Sequence, residues 1–105
     1  MMKEYKIKNS TYEATFILVI AKTRDQVIKK YGIDWNEWGG TCKFKKKFWM
    51  IIHPRAPLKV LVHECDHAIS KLWEDRGIKK LKGIDECYSY MLDWLFGECY
   101  KRIKK

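Results

Sequence analysis

Between Pro57 and Gly77 the apolar residues Leu58, Leu61, Val62, Cys65, Ile69 and Leu72 recur at intervals of three and four, the period of a helix with one buried face. Pro57 suits the first turn and Arg76-Gly77 the stop. Such a helix must lay its apolar stripe on another layer, and the rest of the chain offers one. Tyr12 to Ile20, dense in β-branched and aromatic residues, reads as a strand buried on both faces. Thr23-Arg24-Asp25-Gln26 has the form of a capping box, followed by Val27, Ile28 and Tyr31 before Gly32. Ile33 to Trp38 reads as a loop carrying two exposed tryptophans, Trp35 and Trp38. After the Gly39-Gly40 break, Thr41 to Phe44 and Phe48 to His53, joined by Lys45-Lys46-Lys47, read as a hairpin. A lysine-rich loop leads to Ile84, and a last helix runs from about Asp85 to Lys101. The expectation is an α+β fold over residues 1–105 as one domain: strand, helix and two-strand hairpin packed against two helices.

Twenty-two Lys and Arg against thirteen Asp and Glu leave a net charge of +9, which favours anionic partners but not a particular fold. Eighteen of those cations are Lys and four are Arg. Two-pronged readers of base edges are therefore scarce, which disfavours sequence-specific nucleic-acid recognition and leaves non-specific contact open. Cys42, Cys65, Cys87 and Cys99 form no CxxC pair, and the start shows no secretory signal. The longest apolar run, Phe16 to Ala21, is too short for a membrane span. These features predict a protein of the cytoplasm, with reduced thiols and no membrane partner.

Inside the first long helix lies His63-Glu64-Cys65-Asp66-His67, a match to HExxH. At 100° per residue the two histidines stand about 40° apart, one turn up the same face, away from the apolar stripe. That is the spacing at which two imidazoles reach one zinc ion. Glu64, rotated by about 60° from His67, can reach a water on that ion as general base without being a ligand. With three His in the chain, roughly 0.006 matches are expected by chance for this mechanistic pattern, so coincidence is a weak rival.

A catalytic zinc site needs a third protein ligand and an open position. In the last helix Glu86, Tyr90, Asp93 and Gly97 fall within about 60° of arc, which makes Glu86 the candidate ligand. Tyr90 and Asp93 would then stand behind it, where an acceptor holds a ligand imidazole by its other N–H, and Gly97 would allow the two helices to approach closely. The competing possibility for this stripe is a polar seam at the surface.

From His63 to Gly97 the chain resembles the gluzincin branch of the zincin metallopeptidases: HExxH-Ala at His67-Ala68, Asp85-Glu86 opening a helix, and Phe96-Gly97 closing the pattern. It is similar also to short HExxH proteins of bacteriophages and prophages, through Leu61-Val62 before His63, Gly77-Ile78 after the helix, and Asp85-Glu86 with Tyr90. The resemblance implies a Zn2+ cofactor and hydrolysis of a peptide bond in a bacterial or phage-infected host cell. It further implies that Gly40 to Phe44 is an outer strand pairing with substrate, through Gly40, Thr41, Cys42 and Phe44, and that Phe48 to His53 is its inner neighbour. Where the family has an Asp that orients a ligand His, this chain has Tyr90, and the orienting role passes to Asp93. His53 and Tyr90 are the candidates for stabilising an oxyanion. Two alternatives stand beside the peptidase. One is a non-catalytic protein that binds metal or a host partner on the same fold; the other is a basic protease acting on DNA-bound proteins through Lys43 to Lys47 and the tail.

Overall fold

A computed structural model describes residues 2–36, 38–78 and 85–104. In chain order the elements are β1 (Lys3–Asn9), β2 (Ala14–Ile20), α1 (Arg24–Tyr31), β3 (Gly39–Phe44), β4 (Lys47–Ile52), α2 (Leu58–Asp75) and α3 (Asp85–Ile103). Among the described residues the architecture is α+β, a four-stranded mixed sheet with three helices. Among the described residues no helix is long and apolar enough to cross a membrane. The lysine-rich loop expected before Ile84 lies outside the described residues.

The sheet runs in the order β1-β2-β4-β3, with β2 and β4 parallel and the other neighbours antiparallel. Strand β1 is absent from the sequence expectation. Only Tyr5 and Ile7 of its alternate positions are apolar, and the lysines between them hide the period. Its register, with Ile7 opposite Phe16, places both on the core side of β2. Tyr12 belongs to the connecting turn rather than to the strand: its N–H donates to Asn9 Oδ1 at 2.9 Å, and Glu13 takes φ 49°.

Each sheet face carries its own core. Ile7, Phe16, Leu18, Phe48, Met50 and Ile52 pack under α2 and α3, while Ile17, Val19, Trp49 and Ile51 pack with Val27 of α1 and with Ile33 and Trp35. Trp35 is thus a core residue, 6% exposed, and donates through Nε1 to Arg24 O at 3.3 Å. The segment after α1 has to fold back over the sheet, and this indole fills the space it covers. Trp38 remains exposed, at 54%. Helix α1 starts at the expected capping box on Thr23 and Gln26 and stops at left-handed Gly32. The hairpin turn has two residues, Lys45 and Lys46, both at positive φ, as in the tight turns that match strand twist.

Helix α2 buries Leu61, Cys65, Ala68, Ile69, Leu72 and Trp73. Leu58, expected on that stripe, is 50% exposed because it sits in the first turn, at the rim of the core. Helix α3 seals the layer with Tyr88, Met91, Leu95 and Cys99. Cys65 and Cys99 meet in this core; their mutual hydrogen bond and their burial push the Cys65 thiol far above its ordinary range. All four cysteines are free. Gly97 does not mediate helix contact: a Cβ there would meet nothing within 4 Å, because it lies opposite the Tyr88–Cys99 stripe.

Ile69→Ala is expected to cost about 2–5 kcal/mol in chemical denaturation, and Leu58→Ala no more than about 0.5 kcal/mol. Equal losses would contradict the core boundary drawn here.

Candidate active site

The buried stripe of α2 fixes which side chains its opposite face presents. His63 and His67 are both exposed, and their Nε2 atoms lie 3.0 Å apart with the rings at 90°. Two nitrogens bound to one tetrahedral zinc at 2.0–2.1 Å would stand about 3.3 Å apart. The pair therefore fits two positions of one ion with little adjustment.

Glu64, between them in sequence, turns towards the sheet and is 7% exposed. Thr41 of β3 donates its hydroxyl to Glu64 Oε1 at 2.7 Å and lies 3.1 Å from Glu64 O. Oε1 is thereby held, and Oε2 is left for other chemistry. This seating depends on Gly39. A Cβ there would stand 2.7 Å from Val60 Cγ1 and 3.1 Å from Glu64 Cγ and Oε2, and valine in a helix has one strongly preferred rotamer with which to respond. Beside Glu64 opens a cleft of about 590 Å³ lined by Asn36, Trp38, Gly39, Lys59, Val60, His63 and Glu64.

Strand β3 is the sheet edge on this side. The His53 N–H donates to Trp38 O at 3.1 Å. Alternation along an antiparallel ladder then makes Gly40–Ile51, Cys42–Trp49 and Phe44–Lys47 the hydrogen-bonded pairs. The outward N–H and C=O groups consequently belong to Gly39, Thr41 and Lys43. Of the residues expected to bind substrate, Thr41 offers its backbone to the edge, whereas Gly40, Cys42 and Phe44 use theirs on β4. Cys42 and Phe44 pack on the sheet face away from α2, where burial raises the Cys42 thiol. Lys43 forms an ion pair with Asp75, which also binds Arg76, and these cations hold the Asp75 carboxyl below its usual range.

Helix α3 is tied to α2 beside the histidines: Tyr88 Oη donates to Asp66 Oδ1 at 2.7 Å and lies 2.9 Å from Asp66 O. Burial, with Asp66 adding to it, raises the Tyr88 phenol. Glu86, Tyr90 and Asp93 lie on the opposite, exposed side of α3. Tyr90 Oη donates to Glu86 Oε1 at 2.9 Å rather than to or from a histidine ring. The expected approach of Glu86 to the histidines is not seen: among the described residues no three His, Cys, Asp or Glu side chains gather closely enough to hold an ion. Among those residues Asp93 makes no hydrogen bond to a histidine. His53 closes the turn after β4, where its Nδ1 accepts from the Arg55 N–H at 3.0 Å and its ring packs 5.1 Å from Trp38 at the cleft rim.

Asn36, Lys59 and Val60 as cleft residues, and the grip of Thr41 on Glu64, are not legible in the sequence. The sequence signal at this place is the Gly39-Gly40-Thr41 run before an edge strand. Comparison with protein-family models, with curated proteins and with solved structures finds no match.

Gly39→Ala is expected to destabilise by about 1–3 kcal/mol through overpacking, while Gly97→Ala, in open space within a helix, gains up to about 1 kcal/mol. Thermal and denaturant unfolding of both variants checks the pair.

Proposed function

We propose that this chain is a zinc-dependent peptide hydrolase of zincin type. The observation that carries the proposal is the convergence of His63 and His67 beside a glutamate whose carboxylate is held by an open edge strand. His63 and His67 would hold the ion through Nε2, with Glu86 as third ligand. Zinc, when bound, polarises a carbonyl oxygen and lowers the pKa of water from 15.7 towards about 7.

The protein's own groups supply the rest. An extended peptide adds to β3 through the outward N–H and C=O groups of Gly39, Thr41 and Lys43, which brings its backbone alongside Glu64. Glu64 takes at Oε2 the proton of the water whose oxygen adds to the scissile carbonyl carbon, while Thr41 keeps Oε1 in place, and gives that proton to the nitrogen as the C–N bond breaks. The neighbouring cleft takes a side chain of the bound peptide against Trp38 and Val60. Tyr90 and His53 remain the candidates for the oxyanion, with His53 at the cleft rim and Tyr90 on α3.

Ligation by Glu86 requires it to leave Tyr90 and the opening turn of α3 to present its solvent side to α2. That requirement favours a second reading on one specific observation, the outward Glu86: a protein that keeps this fold and works by binding metal or a partner without catalysis. The two separate experimentally. With zinc content measured in each sample, wild type is expected to cleave a peptide library, and Glu64→Gln to lose at least about 100-fold in rate at full metal loading. Glu86→Ala is expected to lose zinc. Equal cleavage by wild type and Glu64→Gln, or none by metal-loaded wild type, would contradict hydrolysis through Glu64 and favour the binding protein.

A further inference from the structure

The sheet face turned away from α2 carries a concentration of lysines that the chemistry above does not use. On β1, Lys6 and Lys8 share the face of Ile17 and Thr15, their partners on β2. Lys47 of β4 lies on the same face as Trp49, and the turn beside it adds Lys45 and Lys46. Helix α1 covers only part of this face and brings Lys30 to it. Aromatic rings connect these cations: Lys30 Nζ stands 5.4 Å from the Tyr31 ring, Tyr31 lies 4.9 Å from Trp49, Trp49 lies 6.4 Å from Phe44, and Lys45 Nζ is 5.3 Å from the Phe44 ring.

Few carboxylates oppose them. Glu4, on the same side of β1, accepts a hydrogen bond from Tyr31, and Glu13 stands at the turn beside Lys8. Lysines on an edge strand also deter strand pairing with other chains. That explains Lys6 and Lys8, but not the turn or Lys30.

We infer that this face is a docking surface for the phosphate backbone of a nucleic acid, bound without regard to sequence, on the side of the sheet opposite the candidate active site. Lysines supply point charges for phosphates, while the guanidinium of Arg24 on α1 is bound to the Asp34 carboxylate. The partly exposed rings of Tyr31 and Phe44 suit a single strand, whose bases stack on aromatic surfaces. A membrane surface would require apolar side chains beside the lysines to enter the lipid. Among the described residues the large exposed apolar side chains are Ile28 on α1, Trp38 at the cleft, and Leu58, Val62 and Tyr90 on the helices of the other layer, so this side offers one such side chain and not a patch. The surface differs from the basic stretch visible in the sequence: Lys43 faces α2 and pairs with Asp75, while Lys30 of α1, with Lys6 and Lys8 of β1, extends the charge of the turn. It is independent of whether the cleft is catalytic.

The test is fluorescence anisotropy with a labelled 20-nucleotide oligo(dT) across salt concentrations. Six phosphate contacts predict a fall in affinity of about 300-fold between 50 and 200 mM salt. The exposed triple substitution Lys6→Gln, Lys8→Gln and Lys45→Gln should flatten the slope of log affinity against log salt by about 2. A control triple of equal charge off this face, Lys3→Gln, Lys71→Gln and Lys104→Gln, should leave it unchanged, with unfolding curves confirming that both variants fold. Equal flattening by both triples would mean that net charge alone acts, and salt-independent binding would remove the phosphates. Capture by phosphatidylserine vesicles through Lys6, Lys8 and Lys45, without binding to the oligonucleotide, would make the partner a membrane. Each of these three results overturns the inference.

Discussion

The close seating of β3 on α2 at Gly39 is the constraint on which the candidate site depends. Without a side chain at that position, the strand approaches until Val60 and the stem of Glu64 lie where a Cβ would be. Thr41, two residues along and on the same face, then meets the Glu64 carboxylate. The burial of Leu61, Cys65, Ile69 and Leu72 fixes the helix rotation from the other side. Between them, strand and core leave His63 and His67 one outward face and leave Glu64 an inward one. The opposite facings of Glu64 and of the two histidines thus follow from packing.

The open edge of β3 gives that arrangement a direction. Its outward backbone groups belong to the residues whose side chains face α2, so a peptide added there would run over Glu64 rather than past it. The cleft lined by Trp38, Val60 and Lys59 lies at the Gly39 end of the same strand. The opposite face of the sheet is spent on a second core and, beyond α1, on exposed lysines. Substrate and polyanion would thus meet different sides of one thin sheet.

Elements with a strong period were legible from the residues alone. The α2 stripe and the strand expected at Phe48 to His53 could be read because burial imposes a pattern of apolar residues, and the start of α1 because its exposed amide groups call for Thr23 and Gln26 three residues apart. Strand β1 escaped because an edge strand with one buried face needs only Tyr5 and Ile7, and its lysines mimic a polar segment. Trp35 escaped because its burial depends on how the loop after α1 returns, which no local spacing records. On α3 helical spacing puts Glu86, Tyr90, Asp93 and Gly97 on one face. Which face turns inward is decided by Tyr88, Met91, Leu95 and Cys99, whose apolar period runs opposite to it. The HExxH spacing identified the histidine pair, but the contact between Thr41 and Glu64 joins residues far apart in the chain and needed the fold.

The central claim concerns the ligands of a single ion, and X-ray absorption at the zinc edge on the metal-loaded protein addresses it directly. Two imidazole nitrogens and one or two oxygens at about 2.0–2.2 Å are expected, with one oxygen lost in Glu86→Ala and the imidazole signal lost in His63→Ala. A spectrum with sulfur at about 2.3 Å, or one unchanged by either substitution, would place the metal elsewhere and leave the histidine pair as a surface feature of α2.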